Sequence, residues 1–105
     1  RPGFGEPRSG LHATAPEIRQ DLISQMQTIF IMVKCELGCA YKVADDAVLD
    51  IEQVSEVHST SGQYDLMMKC YLDDGVDIGR FVTDRVQVLS GIKDTFTIVA
   101  YKAFS

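Results

Sequence analysis

Residues 28–36 read TIFIMVKCE, a run that alternates strictly and is apolar at both parities: Ile29, Ile31, Val33 and Cys35 oppose Phe30 and Met32. Period-two spacing of β-branched and aromatic residues marks a strand. A strand that is apolar on both sides has to be covered on both sides. At 105 residues the chain has material for one domain with a modest core, so its own helices can cover only one face of a sheet. The second face is left for something else to cover.

The rest of the chain supplies those helices. After Gly38, residues Ala40, Ala44, Ala47, Val48 and Ile51 recur at helical spacing, with Lys42, Asp45, Asp46 and Asp50 pointing elsewhere. Residues 54–60 read as a second strand, Ser61-Gly62 as a tight turn, and residues 64–72 as a third strand closing a hairpin. Asp73, Asp74 and Gly75 end that strand. Ile78, Phe81, Val82, Val86 and Leu89 form a second amphipathic stripe, Ser90-Gly91 stops it, and residues 95–104 make a last strand. The order is βαββαβ. With right-handed crossovers it predicts an α+β, ferredoxin-like domain: a four-stranded antiparallel sheet with two helices on one face. Phe30 and Met32 then lie on the uncovered face, where they predict packing against another subunit.

Upstream, residues 1–13 are rich in Gly, Pro and Arg and read as a tail. Thr14 and Glu17 have capping-box spacing, and Ile18, Leu22, Ile23 and Met26 follow at helical intervals, so a short helix is expected at about 15–26. The domain is placed at 28–105 and the tail at 1–27. Arg1 in place of a methionine reads as a processed, tagged or truncated start, with Met26 as an alternative initiator.

Charge and cysteine usage exclude several functions. The net charge is −5, and residues 1–25 hold three Arg and three Asp/Glu, so the acidic excess falls in the domain. Phosphate backbones are repelled by such a surface, and no helix-turn-helix pattern is present, which argues against direct nucleic-acid binding. No apolar run reaches the ~20 residues that span a bilayer, and no signal-peptide layout opens the chain. The odd set Cys35, Cys39 and Cys70 reads as reduced thiols in a cytoplasmic protein. Cys35 and Cys70 fall at opposite ends of an antiparallel strand pair, and Cys35-x-x-x-Cys39 is not a metal or redox spacing, so buried thiols packing as small hydrophobes are expected. His58 and His12 are the only histidines, so no metal site and no cofactor is expected.

Two segments carry a family resemblance. Residues 57–72, VHSTSGQYDLMMKCYL, and residues 89–99, LSGIKDTFTIV, contain Gly62, Tyr64, Asp65, then Gly91-Ile92, then Thr95 and Thr97. The pattern resembles the ligand-binding (RAM) domain of the Lrp/AsnC feast/famine regulators, over about residues 28–104. The resemblance implies a dimeric α/β barrel built by facing sheets, rings of dimers, an amino-acid effector bound between dimers, and a role in transcription regulation. Only 27 residues precede the first strand here, so the chain looks like a stand-alone member that would partner a full-length relative instead of binding DNA itself.

The candidate site is therefore Gly62, Tyr64, Asp65, Thr95 and Thr97. Gly62 either lets a ligand approach backbone amides or simply turns a hairpin. Asp65, at the start of a strand, either accepts from an amino-acid ammonium or serves as a turn or intersubunit carboxylate. Tyr64 either walls a pocket or is a half-buried strand aromatic. Thr95 and Thr97 share a strand face and can present two hydroxyls together, or are present for β-propensity alone. The competing class is a small dimeric ferredoxin-like enzyme, an oxygenase or isomerase, with a cavity inside the dimer near His58 or Tyr64.

Overall fold

A computed structural model of the chain describes residues 26–104. Strand β1 (Met26–Cys35), helix α1 (Ala40–Asp50), strand β2 (Val54–Ser59), strand β3 (Leu66–Asp73), helix α2 (Ile78–Phe81, continuing as a π-helical segment Val82–Val86) and strand β4 (Ile92–Ala100) follow in order. All strand pairs are antiparallel and the sheet order is β2-β3-β1-β4. This is the expected α+β arrangement. Strand β1 begins at Met26, where the sequence predicts a helix end; the rest of the span predicted as helix, 15–25, lies outside the described residues.

The period-two reading of β1 holds residue by residue. Ile29, Ile31, Val33 and Cys35 are buried, as are Leu66, Met68, Cys70 and Leu72 of β3. Helix α1 covers this face with Val43 and Ala47, both fully buried, and α2 adds Phe81, Val82 and Val86. Val48 was expected in the α1 stripe but is 59% exposed; Val43 takes its place. The second helix also departs from expectation. Asp77 caps it by accepting from the Arg80 N–H at 3.1 Å, but after one turn the repeat widens, and the Gln87 N–H bonds to the Val82 carbonyl at 2.8 Å.

Residues directly opposite in an antiparallel ladder share a face. Phe30 sits between Lys69 and Ile98, and Met32 between Met67 and Phe96, so these six lie together on the face without helices. Glu56 and His58 of β2 join them at one edge. No helix among the described residues is long and apolar enough to cross a membrane.

Candidate functional site

The third strand begins at Leu66, later than expected, because residues 61–64 form an open hairpin loop. The Thr60 N–H donates to the Asp65 carbonyl at 2.9 Å and the Thr60 hydroxyl to the Tyr64 carbonyl at 2.8 Å, closing the loop. Gly62, at φ 98°, turns within it with open space where a Cβ would stand. Asp65 is thus a hinge residue between loop and strand. Its N–H donates to the Val33 carbonyl at 2.9 Å, and its Oδ2 accepts the Cys35 N–H at 2.8 Å. One oxygen of the carboxylate is spent on holding the hairpin to β1, and Oδ1 takes no hydrogen bond among the described residues.

The other candidates separate between the two sheet faces. Tyr64 folds over the uncovered face and stacks on Phe96, with centroids 6.2 Å apart and planes 22° apart. Thr95 and Thr97 pair with Val33 and Ile31, which puts both on the helix-covered side of edge strand β4. The Thr95 hydroxyl accepts from Gln87 Nε2 at 2.8 Å. Thr95 stands in the same row of the sheet as Leu66, so the hairpin and the threonines share one end of the molecule.

That end carries a cleft of about 520 Å³. Its wall includes Asp65 but none of Gly62, Tyr64, Thr95 or Thr97; the chemistry instead comes from Lys34, Glu36, Tyr41 and Lys93, with Leu37 beside them. Such a volume suits a small molecule. The sequence held one signal for these residues: Lys34 is the only charge in the apolar run from Thr28 to Cys35. The floor behind the cleft is tight. Gly91, at φ 97°, lies so close to α1 that a Cβ there would stand 2.9 Å from Cys39 Cβ, and the Glu36 N–H bonds the Gly91 carbonyl at 2.8 Å.

Electrostatics near the cleft are set by burial and by Asp65. The Cys35 thiol is pushed above its ordinary value by burial first, then by the neighbouring Asp65 carboxylate and Cys39. Burial alone pushes Cys70 up to about 11. The three thiols are free, with Cys35 and Cys70 buried as expected. On the uncovered face His58 Nε2 lies 2.9 Å from Glu56 Oε1 and Lys69 Nζ 3.8 Å from Glu56 Oε2. These partners hold Glu56 below the ordinary carboxylate range, the His58 hydrogen bond contributing most. Among the described residues no group of three His, Cys, Asp or Glu is placed to hold a metal.

Comparison with known proteins agrees with this architecture. The uncharacterized HTH-type transcriptional regulator PH1916 of Pyrococcus horikoshii is 29% identical over 76 residues, covering 70% of this chain and 51% of its own length. The chain thus spans about half the length of that curated relative. The solved structure of TTHA0845 from Thermus thermophilus superposes with a TM-score of 0.67 at 29% identity, over 76% of this chain and 99% of that one. The transcriptional regulator NMB0573 from Neisseria meningitidis, solved in complex with L-Met, shares the fold at a TM-score of 0.69 and 14% identity, over 94% of this chain and 73% of that one. The family model described as the Lrp/AsnC ligand binding domain matches residues 28–105, and the chain belongs to that family.

Proposed function

We propose that the chain is an effector-binding and self-associating domain of Lrp/AsnC-type regulation, working by binding and not by catalysis. The observation that carries this reading is the combination of an apolar sheet face left bare by the helices and a charged cleft at the end of the same sheet. Phe96 and Ile98 are 53% and 43% exposed on that face beside Phe30, Met32 and Met67. A patch of this kind on a small domain is a subunit interface in waiting. Two copies placed sheet to sheet bury it, and further association of dimers through the hairpin ends brings Gly62, Tyr64, Asp65, Thr95 and Thr97 near the contact.

The effector is an amino acid. The L-Met complex of the Neisseria regulator is a precedent on this fold. Transcriptional output follows from assembly with a full-length DNA-binding relative, in the cytoplasm; the 99% coverage of the solved TTHA0845 chain supports reading the domain as a self-contained unit. Light scattering of the purified protein, with and without each of the twenty amino acids and scored in parallel for thermal shift, tests the proposal. A dimer or larger ring stabilised by one or a few amino acids is the expected result. A monomer, or a dimer indifferent to all of them, overturns it and moves the search to a substrate enclosed between the sheets near His58 and Tyr64.

A further inference from the structure

Residues 101–104 run on from strand β4 at the end of the sheet away from the hairpin, where Ala100 pairs with Thr28. Tyr101 is 95% and Phe104 88% exposed. Between them Lys102 lies with its Nζ 5.2 Å from the Phe104 ring centroid and makes no ion pair among the described residues. Two aromatic rings held out in water beside a lysine gain nothing in a single copy. Such side chains are the common anchors of a contact between proteins.

The same end of the sheet carries a hollow of about 310 Å³. Met26, Leu72 and Val76 give it apolar walls, Glu52 and Asp73 stand among them, and no lysine or arginine does. Gln53, also in the wall, has a buried Oε1 that accepts no hydrogen bond among the described residues. A buried acceptor calls for a donor, and an acidic wall calls for a cation. The tail has both, in the Tyr101 hydroxyl, its backbone N–H groups and the Lys102 ammonium.

Symmetry decides whose tail meets whose hollow. Tyr71 pairs with Thr28 and Asp73 with Met26, at the parity of Phe30, so the bare face runs on into the hollow. Glu52 and Gln53 lead into β2, whereas the tail leaves β4, the opposite edge of the order β2-β3-β1-β4. Within one copy, β3 and β1 stand between them. When two bare faces stack, a two-fold axis running along the strands reverses that order, laying β4 of each copy over β2 of the other with like ends together. Each tail then arrives at its partner's hollow. A two-fold axis across the strands would lay β4 on β4 with unlike ends together and bring Lys102 toward Lys93 at the hairpin end, cation against cation. We infer that residues 101–104 are a docking arm for a second copy of this chain: Tyr101 and Phe104 enter the partner's hollow, and Lys102 pairs with the partner's Glu52. The inference rests on the self-association reading above and adds the arm, its receptor and the orientation of the two copies.

The test is sedimentation equilibrium of the full chain at low salt, where an ion pair is least screened. Y101S/F104S should weaken the dimer at least about tenfold, the scale of lost aromatic anchors. K102E and E52K, each alone, set like charges together twice per dimer and should each weaken it about fivefold. Mixed in equal amounts, those two variants should recover the wild-type dissociation constant to within about twofold, because both contacts of the mixed dimer again join opposite charges. All four positions are exposed, and circular dichroism checks the folding of each variant. A mixture as weak as its components overturns the inference, and recovery in the double variant K102E/E52K then places the arm on its own chain. A dimer indifferent to Y101S/F104S, K102E and E52K also overturns the arm but leaves sheet-to-sheet association standing. A wild-type chain that stays monomeric removes both.

Discussion

The two faces of the sheet are built from the same three long strands by simple alternation, and they have opposite fates. On one, Ile29, Ile31, Val33 and Met68 are completely buried beneath the helices. On the other, Phe30, Met32, Met67, Phe96 and Ile98 form a second apolar layer that no helix of the described residues covers, with Tyr64 stacked on Phe96 at its margin. The covered face holds the domain together; the bare face is a core waiting for its other half. The difference teaches that side-chain chemistry alone does not tell an interior from an interface. What tells them apart is how many helices the chain has to spend.

Substitutions make that contrast measurable. The largest effect belongs to the covered face: Ile31→Ala leaves a cavity between sheet and helices and should cost about 2–5 kcal/mol in urea unfolding, with an unchanged denaturant slope. Next come two glycines with similar backbone angles. Gly91→Ala adds a Cβ at positive φ against Cys39, whereas Gly62→Ala adds one into open loop space. The loop variant should lose about 1–2 kcal/mol from the left-handed backbone alone, and Gly91→Ala distinctly more in the same melt.

The bare face should behave in the reverse sense. Met32→Lys removes no intramolecular packing layer, so unfolding of the monomer should shift by less than about 1 kcal/mol. Light scattering should nonetheless report loss of self-association; a variant that unfolds like Ile31→Ala would show that the two faces are not distinct. Thiol labelling sharpens the same point. At pH 8 the native protein should react at Cys39, while Cys35 and Cys70, buried and with raised pKa values, label only after denaturation. The smallest effect concerns the charged edge of the bare face. Glu56 titrates below its ordinary value in the folded state, so its contribution is complete above the ordinary carboxylate range and is lost as pH falls through the folded value. Glu56→Gln should therefore lower the melting temperature slightly at pH 7 in thermal melts, and the difference from wild type should shrink to nothing as pH falls from 5 to 3.

Much of this was legible in the residues. The parity of β1 and the paired helical stripes led directly to the βαββαβ order, because burial on a pleated surface has a fixed period. The error over Val48 has a geometric origin. At about 100° per residue, Val43 and Val48 flank the Ala40–Ala44–Ala47–Ile51 line on opposite sides, and only the tilt of the helix on the sheet decides which is covered. Tyr64 and Asp65 read as the start of a strand in the sequence because they open a run of apolar, β-favouring residues. In the structure the Asp65 carboxylate competes for the Cys35 N–H and ends the loop instead. The cleft was the least legible part. Its charges come from the end of β1, the loop that follows it, the hairpin and a bulge in β4, and no local pattern announces that those segments meet.

The strand order β2-β3-β1-β4 has a consequence in time. The first strand made is central, and it is bordered on one side by the last: Thr28 of β1 pairs with Ala100 of β4. A ribosome-bound chain that has released β1, α1, β2 and β3 still lacks one flank of its central strand. Such long-range pairing slows folding, and until β4 emerges the open edge of β1 stays available to any other strand. The domain closes only when its synthesis is nearly finished, and a nascent chain stalled before residue 92 would present both its bare face and an unpaired edge to its neighbours.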